Sequence, residues 1–232
     1  MIIVLEGVNQ SYGSSRTLWD LNLEVPARSC TCLMGRNGAG KTTLLKCIMG
    51  LLPITRGKIT LDNHDFTKEP AELRAQAGIA YIPQGREIFP LLSVEENLLI
   101  GLKSVKSNRN EVPDRIFELF PVLSEILEKK GGELSGGQQQ QLAIARGLMI
   151  DPKILILDEP SEGLQPSLVK QIEELILELV SRDNLTVLLV EQKISFAKKV
   201  ADEFRLMEKG RVVSSGSMSN LSEELVEKYL LV

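Results

Sequence analysis

The sequence predicts an α/β fold whose core is a parallel sheet covered by helices on both faces. Three observations carry this. Uninterrupted apolar runs at Ile79–Pro83, Ile154–Leu157 and Leu185–Val190 read as strands buried on both faces. Helix-period segments separate them, as parallel crossovers require. The run Ser29–Met34 leads through glycines straight into a helix-period segment at Lys41–Met49, closed by Gly50 and Pro53.

Taken in order, the first sixty residues read mainly as strands. In Leu18–Val25, the residues Trp19, Leu21, Leu23 and Val25 alternate with Asp20, Asn22 and Glu24, which predicts a strand with Trp19 on its apolar face. Gly57–Asp62 reads as another, ending in the turn Asp62-Asn-His-Asp65. Beyond Pro83 the texture becomes helical. Ser93-Val-Glu-Glu96 is a capping box, in which hydroxyl and carboxylate each satisfy a free amide. Lys103–Pro113 is polar and breaks the pattern, while Asp114–Leu127 and Ser135–Met149 read as helices, so the stretch of about 85–150 carries little strand signal. Pro166 opens a helix with Val169, Ile172, Leu175, Ile176, Leu179 and Val180 on one face, and Phe204–Val213 reads as a hairpin turning at Gly210.

Composition narrows the function classes. The chain has 232 residues, 43% hydrophobic and 25% charged, as in a globular protein able to bury a large core. A net charge of −4 supplies no basic field for a nucleic-acid backbone. The three cysteines Cys30, Cys32 and Cys47 sit in apolar segments and read as reduced, cytosolic thiols. The start carries no signal-peptide pattern and no apolar run is long enough to span a bilayer, so any membrane role is expected to come through a partner.

Chemistry concentrates at Gly35-Arg-Asn-Gly-Ala-Gly-Lys-Thr42, which fits G-x-x-x-x-G-K-[ST] between a strand and a helix. Gly35, Asn37, Gly38, Ala39 and Gly40 would curl their amides around a polyphosphate at a helix N-terminus, with Thr43 following in the first turn. Lys41 is placed for the β- and γ-phosphates of a bound polyphosphate and the Thr42 hydroxyl for Mg²⁺. The plain alternative is a glycine-rich turn with a chance lysine. At the end of the strand Ile154–Leu157, Asp158 is placed to hold the metal and Glu159 to polarise the attacking water. Further on, Leu134-Ser-Gly-Gly-Gln138 precedes a helix. Ser135 with Gly137 and Gln138 reads either as a second anion cradle or as a well-capped helix.

The ordered set of phosphate loop, Leu134–Gln138 and Asp158-Glu159 resembles the ATP-binding subunits of ABC transporters along the whole chain. That resemblance implies one domain over 1–232: a P-loop NTPase (RecA-like) core at 1–84 and 151–232, an antiparallel β subdomain at the amino end, and an inserted helical subdomain at about 85–150. It implies MgATP as the nucleotide and a head-to-tail pairing with a second ATP-binding subunit, homo- or heterodimeric, each Ser135–Gln138 segment closing the other's phosphate loop. Tyr12 resembles the residue that stacks on adenine, or is simply a strand-end tyrosine. Gln84 resembles the glutamine that senses metal and nucleophile and links to the permease, or is a turn glutamine. Transmembrane permease subunits would dock on the helical section, near Phe89 and Pro90, with a periplasmic substrate-binding protein acting indirectly, on the inner face of a bacterial plasma membrane. Two positions depart from the family pattern: Gln192 stands where histidine is usual, and Gln165 where aspartate is usual. Both put the efficiency of this chain's own hydrolytic site in question and suggest a partner that carries the histidine. The lone His64 lies in a polar turn, as a solvated loop residue.

Three strings, Tyr81–Pro90, Leu134–Arg146 and Asp158–Ser167, look most like urea-transporter ATP-binding subunits, with branched-chain amino acid subunits as nearest relatives. A short-chain amide is a further possibility for the cargo. A soluble, non-transport ABC-type ATPase is the rival class; it usually carries a coiled-coil insertion or a second cassette, and neither is visible in this sequence.

Overall fold

The computed structural model describes residues 2–103 and 111–231. Its strands are β1 (Ile3–Tyr12), β2 (Ser15–Val25), β3 (Cys30–Met34), β4 (Arg56–Leu61), β5 (His64–Asp65), β6 (Ile79–Ile82), β7 (Ile154–Asp158), β8 (Thr186–Val190), β9 (Glu203–Glu208) and β10 (Arg211–Ser217). The first two pair with β4 and β5 in a four-stranded sheet of order β2-β1-β4-β5; the others form a six-stranded sheet of order β10-β9-β3-β8-β7-β6. The small sheet is antiparallel. In the large one β6, β7, β8, β3 and β9 run parallel, and β10 returns antiparallel as an edge hairpin.

The helices are α1 (Lys41–Ile48), α2 (Ala71–Gln76), α3 (Val94–Lys103), α4 (Asp114–Leu119), α5 (Pro121–Ser124), α6 (Gly136–Leu148), α7 (Pro166–Ser181), α8 (Ile194–Val200) and α9 (Glu223–Tyr229). Strand β7 shows why the parallel sheet is apolar throughout. Ile154 and Ile156 enter a cluster with Leu44, Leu45 and Ile48 of α1, sandwiched between the two sheets. Leu155 and Leu157 enter the opposite cluster with Leu142 and Ile144 of α6 and Ile172 and Ile176 of α7. With neither face wet, no polar alternation is possible.

Several expectations change in detail. Trp19 is not core: it is 38% exposed, whereas Leu18 is fully buried. Val8 pairs with Leu21 but Gln10 with Leu18, so β2 carries an extra residue there. Asp20 is left-handed, at φ 47°, its amide held by Asn9 Oδ1 at 2.8 Å. That bulge inverts the faces of Leu18 and Trp19, ahead of a further register shift between Gln10 and Ser11. Trp19 instead packs outside under the Arg16 guanidinium, 4.3 Å from its ring. The single helix expected over Asp114–Leu127 is two short ones. Pro121 disfavours a helical Phe120, which sits at φ −132°, ψ 69°. Of the expected polar break at Lys103–Pro113, residues 104–110 lie outside the described ones. The Ser93 capping box is present, with Glu96 N to Ser93 Oγ at 3.1 Å and Ser93 N to Glu96 Oε2 at 2.7 Å. Lys209 and Gly210 form the expected hairpin turn, both left-handed. His64 is exposed, as anticipated, but belongs to the short β5.

Because β3, β6, β7 and β8 are parallel, their carboxyl ends lie along one edge of the sheet. Gly35, Gln84, Glu159 and Gln192 all follow those ends within a few residues. Topology alone gathers them.

Candidate functional site

The loop from Gly35 to Gly40 turns tightly beneath β9. A Cβ on Gly35 would come within 2.3 Å of the Met207 carbonyl oxygen, so only glycine lets the loop tuck in. Gly38 and Gly40 are left-handed, at φ 79° and 103°, and Ala39 N closes the turn on Arg36 O at 3.1 Å. Lys41 is 6% exposed, and its ammonium spans this loop, donating to Gly35 O at 2.7 Å and Arg36 O at 3.3 Å. Burial pulls it below the usual lysine range, while Glu159 and Asp158 pull the other way. The result is an oriented cation at a helix N-terminus, suited to a phosphate.

Asp158 ends β7 and is 3% exposed. The Tyr81 hydroxyl donates to its Oδ2 at 3.3 Å, and its Oδ1 is buried without a hydrogen-bond partner. Burial pushes its carboxyl above the usual range; the neighbouring Thr42 and Tyr81 hydroxyls and Lys41 offset this only in part. An orphaned carboxylate oxygen beside a threonine hydroxyl is a donor set that fits a hard cation such as Mg²⁺.

The sign of that shift gives a first prediction. A carboxyl raised on folding favours the chain most below its unfolded value and loses that contribution as pH rises through its folded value. At neutral pH without metal, ionised Asp158 therefore costs stability. Asp158→Asn is expected to raise the melting temperature by about 2–4 °C in EDTA. It should also flatten the gain in stability that the native chain shows on mild acidification. Thermal melts at several pH values check both; a lower melting temperature would contradict the reading.

Glu159 follows at φ 51°, a left-handed backbone for a residue with a Cβ, costing roughly 1–2 kcal/mol. Its amide is held by Val190 O at 2.9 Å, which fixes the turn. Its carboxylate lies between two amides. Gln192 Nε2 donates to Oε1 at 2.6 Å and also to Asn37 Oδ1 at 3.0 Å. Gln84 Nε2 reaches Oε2 at 3.5 Å and Glu162 Oε2 at 2.9 Å. Glu191, 3% exposed, fixes the backbone there by accepting from the main-chain N–H of Gln192 at 2.8 Å and of Lys193 at 3.0 Å. An anion is thus bracketed by donors at the mouth of the phosphate loop.

The structure brings Asn37, Lys41, Thr42, Gln84, Asp158, Glu159 and Gln192 into one connected cluster. Tyr12 ends β1 and is 50% exposed. Ser135 caps α6 reciprocally with Gln138: Gln138 N to Ser135 Oγ is 3.3 Å and Ser135 N to Gln138 Oε1 3.0 Å. Gly137 admits the Leu168 side chain, whose Cδ1 would lie 2.1 Å from a Cβ there. Among the described residues no hydrogen bond links this turn to the phosphate loop. Gln165 begins α7 without a side-chain cap, the capping role an aspartate would fill. Tyr81, Glu162 and Glu191 were not singled out by sequence; only their places beside Gln84, Glu159 and Gln192 hinted at them.

The family model described as ABC transporter matches residues 18–162. The chain is 40% identical to the high-affinity branched-chain amino acid transport ATP-binding protein BraG of Pseudomonas aeruginosa, covering 91% of each. It is 38% identical to the probable branched-chain amino acid transport ATP-binding protein LivF of Archaeoglobus fulgidus, over 96% of this chain and 94% of that one. Among solved structures, it matches the dimer of an ATP-binding cassette in a post-hydrolysis state bound to ADP and Pi. The TM-score is 0.83 at 26% identity, covering 93% of this chain and 98% of that one.

Proposed function

The chain belongs to the ABC transporter family, and from that premise we propose a mechanism in which two such subunits clamp MgATP between them. As a member it is an ATPase whose hydrolysis is coupled to transport. Lys41 and the Gly35–Thr42 amides hold the phosphates, and Tyr12 stacks on the base. Thr42 and Asp158, with Gln84 as sensor, would hold Mg²⁺, which supplies charge neutralisation at the phosphate oxygens when bound. Glu159 orients the attacking water. Ser135 and Gly137 complete the site of the second ATP-binding subunit, since one chain offers two amide cradles and needs one. The observation that carries this is Glu159 held between the Gln84 and Gln192 amides beside Asn37.

The segment of about 85–150 would serve as the helical subdomain and receive a transmembrane permease. Phe89 and Leu91 stand 43% and 81% exposed there. Phe89 also lines a cavity of about 400 Å³ with Tyr81, Ile100, Ala143 and Arg146. No helix among the described residues is long and apolar enough to cross a membrane, so the proposed place is peripheral, on the inner face of a bacterial plasma membrane, with a periplasmic binding protein delivering cargo.

For the cargo, the names of the relatives at 40% and 38% identity favour a branched-chain amino acid over the urea that the three local strings suggested. Urea stands as the second reading, on those strings alone. Co-purification with a permease and a second ATPase, then ATPase assays with leucine or urea and the cognate binding protein, separates them. Stimulation by leucine supports the first reading and by urea the second; purification without any membrane permease overturns transport.

Gln192 bears on the partner. Its amide donates to Glu159 but has no titrating proton. Gln192→His is expected to raise turnover several-fold and to introduce a pH dependence near about 6.5, the imidazole range. A pH–rate profile of the assembled complex checks this. An unchanged rate and profile would remove the case for a heterodimer in which the partner supplies the histidine.

A further inference from the structure

Arg86, half-buried on the loop that leaves Gln84, directs its side-chain hydrogen bonds away from Lys41, Asp158 and Glu159. Its backbone is unusual. Gly85, Arg86 and Glu87 stand at φ 88°, 70° and 46°, three left-handed residues in succession, two of them with a Cβ. Such a turn persists only where its surroundings over-determine it. Here the surroundings are one helix. Arg86 Nε donates to Gln140 Oε1 at 3.3 Å and Nη1 to Gln139 Oε1 at 3.3 Å, on the first turns of α6 just after the Ser135–Gln138 cradle. Gln139 is itself oriented, its Nε2 donating to Gly131 O at 3.2 Å, so that its oxygen faces the guanidinium. A Cβ on Gly136 would lie 3.1 Å from Arg86 Nη1, so the fork rests against the cradle's own backbone. Further along α6, Arg146 donates to Glu87 O at 2.8 Å and lies over the Phe89 ring at 5.1 Å. Two arginines therefore fasten this loop to α6 from opposite sides.

We propose that Arg86 is a positioning residue that fixes the Ser135–Gln138 amide cradle relative to Gln84. A contact that holds the Gln84 loop to the cradle links the site this chain holds to the site it completes for its partner. The guanidinium reaches two neighbouring amide oxygens at once, whereas a lysine ammonium needs a carboxylate partner to be held comparably. The proposal rests on the reading of Gln84 and Ser135 as nucleotide-contacting residues.

The test uses the transporter assembled with its permease and second ATPase, measuring kcat, KM for MgATP and melting temperature. Arg86→Ala is expected to lower kcat about tenfold, in the range that coupling residues show. KM for MgATP should stay within about twofold, because binding to the phosphate loop is untouched. Arg86→Lys with Gln139→Glu, which substitutes an ion pair for the fork, should recover at least about half of kcat. A kcat for Arg86→Ala within about twofold of native overturns the proposal. So does a lower kcat matched by a collapse in melting temperature and not rescued by the paired variant. Glu159→Gln run alongside keeps the two readings apart. If it abolishes turnover while Arg86→Ala does not lower it, only the positioning role fails; if it leaves turnover intact, the reading of the site fails first.

Discussion

Glu159→Gln is expected to lower hydrolysis at this site by about 10²–10⁴-fold while MgATP still binds, the loss typical of removing a positioned general base. The substitution is nearly isosteric, and the Glu159 backbone, left-handed and tied to Val190 O, does not depend on the carboxylate. What disappears is the anion that would draw a proton from water, while Lys41 and the loop amides proposed to hold the phosphates stay in place. Removing an acceptor that takes 2.6 Å and 3.5 Å bonds from two glutamine amides leaves a side chain able to rotate its own oxygen toward either. Single-turnover hydrolysis beside nucleotide binding measures both halves. Full activity would discredit Glu159 as the base, and loss of binding would show that it shapes the phosphate site.

Ser135→Asp carries an effect of similar size through a different subunit. Aspartate is as good an N-cap as serine, so the bond to Gln138 N and the start of α6 should survive, with melting shifted by no more than about 0.5 kcal/mol in stability. It also places a negative charge where the partner's terminal phosphate is to be gripped. Loss of a preorganised donor set of this kind costs about 10²–10³ in rate. The site affected is the one whose phosphate loop lies on the other subunit. Mixed dimers in which one member carries Ser135→Asp and the other Lys41→Ala decide it. If cradle and loop act in trans, both lesions fall in one composite site and the second remains whole, retaining activity. If they act in cis, both sites are damaged.

The sequence revealed the sheet and the phosphate loop because apolar continuity and glycine spacing are local signals. Ile154–Asp158 could hardly be anything but a buried strand, and Gly35–Thr42 declares itself. What stayed hidden depends on distant neighbours. Trp19 alternates correctly in the sequence, and only the bulge at Asp20, set by Asn9 on the adjacent strand, turns it outward. Helix α2 is six residues long, and its one buried residue is Arg74, a charge. The Arg74 guanidinium donates to the carbonyls of Cys47, Ile48, Phe66 and Glu69, closing the end of α1, so a core position reads as surface. Within the cleft, the separate residues were visible, but not that Gln84 and Gln192 close on the same carboxylate, nor that Glu162 shares Gln84. Nothing local marks Arg86 either, since its partners Gln139 and Gln140 lie more than fifty residues away on α6.

A disulfide trap reads the dimer geometry most directly. Cysteine replaces Ser135 in one subunit and the residue aligned with Gly38 in the other, which is Gly38 itself in a second copy if the pair is homodimeric, all in the Glu159→Gln background. The native thiols are silent, since Cys30, Cys32 and Cys47 are buried, and burial pushes all three up, Cys47 to about 12. Rapid inter-subunit crosslinking with MgATP, and little with ADP, is the predicted result. Crosslinking that ignores the nucleotide, or none in the ATP-loaded state, would contradict a phosphate gripped by amides from both subunits.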